Sequence, residues 1–342
     1  MTPAGSDRGR RLGVVVNPVA GGGRGDRAGR EILGLLRAGG HTVTDLSGRD
    51  VVQAAAHARR AVAAGDVDAL VVVGGDGMVH LGAQAVAGTG TPLGIVAVGT
   101  GNDFATCLGL PVRDHATAGA GLLSALAAGT ERAVDAIHVT VPGRADRWVA
   151  GAVSAGLDAA VNARANAMRR PRGPSRYTLA ALAELAAFRA WAYTLHLEGV
   201  TDDDGLPLSG SGDGGPGATW TGRAAMVTAA NTDRIGGGIR VAPHASTDDG
   251  LLDVLVAPVL TRAGAAIAFA LMFSGRHVRR RDVHLLRARA VTIAPAPPPA
   301  RDLPAGTGAL PEAHGDGERL GPLPVTARAV RGALRVLTDG RS

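Results

Sequence analysis

The sequence predicts an α/β protein: an N-terminal three-layer α/β domain over residues 10–132, followed by a mainly antiparallel β domain over residues 133–331. Three observations predict it. Strand-like and helix-like segments alternate from residue 12 to about 135, a pattern that builds a parallel sheet with helices on both faces. Three of the strand-like runs end in glycine clusters. After about Arg132 the alternation gives way to successive strand-like runs. A length of 342 residues suits two domains.

Leu12–Val16 is a Val-rich strand ending in Asn-Pro and glycines, and Arg27–Arg37 places Ala28, Ile32, Leu35 and Leu36 at helical spacing. Thr42–Asp45 reads as strand, Val51–Ala64 as helix, Ala69–Val73 as a buried strand and Leu93–Val98 as strand. In the second half, Ala133–Val141 and Arg147–Ser154 read as strands joined by a Pro-Gly turn. Two Ala-rich helices follow, Ala159–Met168 and Ser175–Arg189. Further strands are expected at Tyr193–Glu198, Thr219–Ala229, Leu251–Val256, Val291–Ala294 and Pro324–Ala329. The inserts Asp202–Ala218 and Ala294–Pro311 lack the apolar content to pack and read as surface loops.

Composition narrows the function classes. Hydrophobic residues make up 46% and charged residues 19%, while aromatics reach only 3%, so the cores must be built from Ala, Val and Leu. All 36 basic residues are Arg and the net charge is +6, a balance suited to anionic partners. A single cysteine, Cys107, excludes an intrachain disulfide and a thiolate metal cluster. The polar N-terminus lacks the apolar core of a signal peptide, and no run reaches the roughly 18–20 apolar residues of a membrane span. The longest apolar stretch, Thr261–Phe273, reads as an amphipathic or buried helix. A cytoplasmic protein, peripheral at the inner membrane face, is expected.

The glycine turns carry the chemistry. NPVAGGGR (17–24) joins a strand to a helix, where glycines let backbone N–H groups approach an anion and the helix offers its positive end; no Gly-Lys-Ser/Thr closes it, so it is not a Walker A loop. VVVGGDGMVH (71–80) surrounds Asp76 with Gly74, Gly75 and Gly77; the acid suits a nucleotide hydroxyl or a magnesium ion, although Gly-Asp-Gly also makes ordinary turns. In VGTGNDFA (98–105), Thr100 offers a hydroxyl, and Asn102 and Asp103 can cap the next helix. In a parallel sheet all three turns fall at the carboxyl edge, where ligands bind.

In this order and spacing, these turns resemble the diacylglycerol and sphingoid-base kinase family. The resemblance continues through SAGLDAAVNARAN (154–166), PSRYTLAALAEL (174–185), GGGIRVAPHASTDDGLLDV (236–254) and DGE (316–318). It implies an ATP-binding α/β domain of the NAD kinase/phosphofructokinase type, completed by a C-terminal strand at about 332–338, and a lipid-binding β-sandwich, with a cleft between them. By motif match, Asn17, Pro18, Val19, Ala20, Gly21, Ser47, Gly74, Gly75, Asp76, Gly77, Met78, Val79, His80 and Thr100 would contact ATP, with Asn102 and Asp103 beside them. Asp249, with the carbonyls of Ser246 and Leu251, would hold a structural Mg2+, a suitable hard-oxygen set. Glu318 matches the family's general base; Asp316, two residues away, would share its face on a strand and is the second candidate.

The family turn usually reads GGDGT-x-N-E; here Met78, His80 and Leu81 stand for Thr, Asn and Glu, and Ala97 for a Pro. These departures keep open a catalytically weakened lipid- or nucleotide-binding homologue. NAD kinase, the rival enzyme, shares a GGDG turn but is opposed by GTGNDFA and DDGLLDV. Two arginine clusters, Met168–Arg172 and Arg276–Arg281, suit an anionic membrane, while the lack of aromatic platforms beside them argues against nucleic acid. A homodimer is left open.

Overall fold

The computed structural model describes residues 9–168, 179–180, 183–184, 190–201, 217–257, 259, 261–296 and 312–340. Residues 1–8, most of the expected helix Ser175–Arg189 and most of the two inserts lie outside the described residues. The chain divides into two units, Met1–Val134 with Gly332–Ser342, and Asp135–Arg331.

In the first unit, β1 (Arg11–Val16), β2 (Thr42–Asp45), β3 (Ala69–Gly74) and β4 (Leu93–Ala97) form a parallel sheet in the order β2-β1-β3-β4. The end of β16 (Val325–Leu337) lies parallel to β4, with Val336 opposite Leu93. Helices α1 (Ala20–Ala38) and α5 (His115–Ala128) cover one face, where Ile32, Leu36, Leu122 and Leu126 meet Val14, Val71 and Val96. On the other lie α2 (Val51–Ala63) and α3 (Asp76–Val86): a Cβ at Gly82 of α3 would strike Leu93 and Val72. This is the expected three-layer arrangement, and β3, buried at every residue, is its central strand. Asp50 caps α2 by accepting the Gln53 N–H at 2.8 Å, and Asp114 caps α5 by accepting that of Thr117 at 3.0 Å, each contributing about 1 kcal/mol.

The second unit is an antiparallel sandwich. One sheet runs β6-β5-β16-β13-β8-β9, from β5 (Glu131–Thr140), β6 (Arg147–Val149), β8 (Trp191–Glu198), β9 (Gly217–Ala224) and β13 (Ala290–Pro295). The other runs β12-β11-β10-β7-β14-β15, from β7 (Ala152–Gly156), β10 (Met226–Ala230), β11 (Leu252–Ala257), β12 (His284–Ala288), β14 (Ala313–Gly315) and β15 (Glu318–Gly321). Ile137, Leu195, Leu197, Val291 and Ile293 of the first sheet pack on Val153, Val227, Val254 and Val256 of the second. Helices α6 (Leu157–Ala167) and α7 (Arg262–Met272) follow β7 and β11.

Two expected strands are each a pair. Arg147–Ser154 breaks at residues 150–151 into β6 and β7, and Thr219–Ala229 breaks at Ala225 into β9 and β10. In both cases the chain passes from one sheet to the other. A strand that turns a sandwich corner keeps its apolar pattern, so sequence periodicity does not mark the break.

Candidate functional site

In the first unit the three glycine turns meet at the carboxyl edge of the sheet. The Asn17 N–H donates to Val73 O at 2.9 Å, which ties the first turn to the second. The N–H groups of Val98 and Gly99 both donate to Gly74 O, at 2.8 and 3.1 Å, which ties the second to the third. A Cβ at Gly21 would lie 2.2 Å from Val98 O, so the first and third turns also touch. Gly21, Gly22 and Gly23 all have left-handed φ, of 58°, 75° and 98°, and regular helix begins only after them. That run suits glycine because a Cβ strains this region. Pro18 and Val19 are exposed on this turn and Ala20 is buried.

The neighbours fix these loops in place. Ser47 Oγ accepts the Val16 N–H at 2.9 Å, beside the first turn. The Asp76 carboxylate accepts the N–H groups of Asn102 at 2.8 Å and Phe104 at 3.3 Å, holding the start of α4 (Asp103–Cys107). Arg113 donates to Thr100 O at 2.7 Å, leaving the Thr100 residue exposed. Asn102, itself left-handed at φ 62°, gives its Nδ2–H to Gly99 O, while its buried Oδ1 has no partner among the described residues. An orphaned acceptor where three glycine turns converge fits a ligand hydroxyl or amine. Gly22, Gly23 and Gly77 have nothing within 4 Å of a Cβ position, open backbone of the kind a phosphate chain approaches.

Met78, Val79 and His80 sit differently from the glycines. They are 6%, 4% and 8% exposed, and Leu81 is 3% exposed. The Met78 Cγ lies 2.3 Å from where a Gly74 Cβ would be, so the thioether occupies the space that Gly74 leaves. Three of the departures from the family turn are thus packed side chains. Asp103 is buried at the first turn of α4.

In the second unit the Asp-Gly of DGE is a hairpin turn between β14 and β15. Asp316 and Gly317 have φ of 50° and 83°, the two positive values that a two-residue type I′ turn requires. Asp316 therefore does not lie on a strand, and the shared face with Glu318 does not arise. Its carboxylate accepts the N–H groups of Ala150 and Gly151, both at 2.8 Å, and so holds the corner between β6 and β7. Glu318 is exposed at the start of β15. Asn231, fully buried, was not anticipated: its Nδ2 donates to Asp135 O and Ala150 O, both at 2.9 Å, and locks the same corner. A polar residue closing an apolar strand, as Asn231 closes β10, is the only signal for it in the sequence.

The acidic turn is satisfied from within the chain. Asp249 Oδ1 accepts the Leu251 N–H at 2.8 Å, and its Oδ2 accepts from the Arg287 guanidinium. Ser246 Oγ donates to Asp248 at 2.5 Å, and buried Asp135 accepts the Gly250 N–H at 2.6 Å. Among the described residues no group of three or more His, Cys, Asp or Glu is placed to hold a metal. As the donors stand, with a guanidinium on Asp249, this turn does not fit a divalent ion.

Of the arginine clusters, residues 169–172 lie outside the described residues. In the second, Arg276, Arg279 and Arg281 are exposed, whereas Arg280 pairs with Asp282 at 2.8 Å. Among the described residues no helix is long and apolar enough to cross a membrane.

Comparison with known proteins gives a consistent picture. The sequence matches the diacylglycerol kinase catalytic domain over residues 11–139 and the YegS C-terminal NAD kinase beta sandwich-like domain over residues 151–338. It is 32% identical over 327 residues to the diacylglycerol kinase of Mycobacterium tuberculosis (strain ATCC 25618 / H37Rv), covering 96% of this chain and 94% of that protein. It is 29% identical over 201 residues to the "Probable lipid kinase YegS-like" of Stenotrophomonas maltophilia (strain K279a), covering 57% of each. A crystal structure of a diacylglycerol kinase from Bacillus anthracis str. Sterne shares the fold, with a TM-score of 0.69, 20% identity and 98% of each chain covered. The chain belongs to the diacylglycerol kinase family.

Proposed function

We propose that the protein transfers the γ-phosphoryl group of ATP, supplied as its magnesium complex, to a hydroxyl of a membrane lipid, either diacylglycerol or a sphingoid-type lipid. The observation that carries this reading is the convergence of the three glycine turns around the unpartnered Asn102 Oδ1, in a chain whose relatives are lipid kinases. The glycine backbone would take the phosphates, with Asn17 and Thr100 beside them, and the magnesium of the nucleotide would neutralise the charge that develops on phosphoryl transfer. Glu318 would orient the acceptor hydroxyl and take its proton as that oxygen attacks the γ-phosphorus. Asp316 is committed to the Ala150 and Gly151 N–H groups, which favours Glu318 as the base.

The burial of Met78, His80 and Leu81 supports an active enzyme over a weakened homologue, since these departures alter packing and leave the glycine backbone open. Because the lipid stays in its bilayer, the reaction would take place at the inner membrane face, with the protein cytoplasmic and peripheral. The test is transfer of label from γ-labelled ATP to fractionated lipid classes, read by chromatography. Labelled phosphatidic acid or a labelled sphingoid phosphate supports the reading. Label in NADP+ when NAD+ is offered, and none in any lipid, would replace it with NAD kinase.

A further inference from the structure

The helix α7 and the 3-10 turn Arg276–Arg279 behind it present a surface that a water-soluble fold does not need. A surface helix ordinarily buries its apolar stripe and shows a polar one. Here, among the described side chains, the exposed residues Ala263, Ala266, Ile267, Ala270 and Phe273 recur at helical spacing, and every one is apolar. Ile267 is 56% exposed and Phe273 53%. Phe269 and Phe273 meet edge to face at 5.5 Å, giving the stripe a stiff aromatic end.

The opposite side of the helix is anchored. Ala265 is buried and Met272 packs on the cluster around Val241 and Leu255. The turn is anchored by buried His277, whose ring Nε2 lies 3.1 Å from the Val241 carbonyl. This leaves Arg276, Arg279 and Arg281 exposed directly after the apolar stripe. The helix has 11 residues, about 16 Å, roughly half of a bilayer core, so it can lie in a membrane surface but not cross it.

We propose that this element docks the protein on an anionic phospholipid bilayer: Ile267 and Phe273 enter the boundary of the acyl chains, and Arg276, Arg279 and Arg281 meet the lipid phosphates. Charge complementarity selects this occupant, because an apolar stripe followed by three exposed cations matches a layer with hydrocarbon beneath and negative charge at its surface. The proposal rests on the lipid-kinase reading, which brings the chain to a bilayer, and names the part of the chain that holds it there.

The experiment is sedimentation of the full chain, without ATP, on vesicles of phosphatidylcholine alone and of phosphatidylcholine with phosphatidylglycerol. Two variants accompany the wild type: Ile267→Ser with Phe273→Ser, and Arg276→Gln with Arg279→Gln and Arg281→Gln. Thermal melts establish that both fold, and label transfer to a short-chain diacylglycerol dispersed in water tracks the chemistry. Wild type should prefer the anionic vesicles and lose that preference at high salt. Each arginine contributes about a fivefold gain near an anionic surface, so the triple variant should bind on the order of a hundredfold more weakly. The double variant should lose binding on both vesicle types, and both variants should label the short-chain lipid as wild type does.

Variants that sediment like wild type overturn the proposal. So does a double variant that fails on the short-chain lipid but still binds vesicles, since the stripe would then serve the substrate directly. Wild type that ignores vesicles and self-associates through Ile267 and Phe273 overturns it in favour of a second copy of the chain. Vesicle binding that follows the predicted pattern, with no lipid ever labelled, leaves docking standing and removes the kinase reading instead.

Discussion

Asp76 holds Asn102: its carboxylate accepts the Asn102 N–H at 2.8 Å, joining the second glycine turn to the third. The acid that the family resemblance assigns to nucleotide contact thus also builds the loop that the nucleotide would meet. Asp76→Ala removes the acceptor of two backbone N–H groups, at Asn102 and Phe104. A hydrogen bond to a charged group is worth about 1.5–3 kcal/mol, so losing two should lower stability by about 3–6 kcal/mol in urea titration, together with ATP affinity. Unchanged stability with lost ATP binding would show that the carboxylate serves the ligand alone.

Gly77 and Gly99 separate ligand approach from fold. A Cβ at Gly99 would lie 2.3 Å from the Gly75 Cα, whereas one at Gly77 meets nothing within 4 Å. Gly99→Ala should therefore cost both stability and ATP affinity. Gly77→Ala lies in the first turn of α3, where alanine is favoured by about 1 kcal/mol. Its melting temperature should hold or rise while ATP affinity, measured by calorimetry, falls about tenfold or more. ATP affinity equal to wild type in Gly77→Ala would take this backbone out of the nucleotide site.

Met78→Thr restores the residue type of the family turn, but Met78 is 6% exposed and fills the space beside Gly74. The substitution removes buried methylene and sulfur and adds a hydroxyl, at a cost of about 2–3 kcal/mol. Parallel melts and initial rates should give a less stable enzyme that is no faster. A faster enzyme of unchanged stability would place the Met78 side chain at the phosphates.

The same contrast shows what the sequence made legible. β2 falls at Thr42–Asp45 as expected, a β-branched Thr-Val-Thr run at the exposed edge of the sheet, and β3 extends the predicted Ala69–Val73 by Gly74, because a parallel strand buried on both faces announces itself as an unbroken Val run. Helix α5 was not legible: Ala and Gly fill both its buried positions, such as Ala118 and Gly119, and its exposed ones, such as Ala127, which blurs the helical period. The β14–β15 hairpin was hidden by strands of only three and four residues with little β propensity. At the site, the glycines were read from spacing, but side-chain direction was not. Met78 turns inward, Asp316 is a turn residue and Arg287, 38 residues on, reaches Asp249, and spacing along the chain marks none of these.

Arg287→Met tests the acidic turn. Arg287 sits opposite buried Asp253 on the neighbouring strand and donates to Asp249. Breaking a largely buried ion pair costs about 3–5 kcal/mol, and the loss should appear as a lower melting temperature. Wild-type melts should be indifferent to millimolar Mg2+ against chelator, while the variant, with its carboxylates uncovered, should be partly rescued by the ion. A wild type that loses stability in chelator would show that the turn holds a metal despite Arg287.

The most direct test of the account compares wild type with Glu318→Gln for transfer of label from γ-labelled ATP to diacylglycerol in vesicles, with ATP affinity measured alongside by calorimetry. The amide keeps size and hydrogen bonding but cannot take the hydroxyl proton, so turnover should drop by about two to four orders of magnitude with ATP affinity little changed. A fully active Glu318→Gln, with Asp316→Asn inactive yet as stable as wild type, would contradict the assignment and move the base to Asp316.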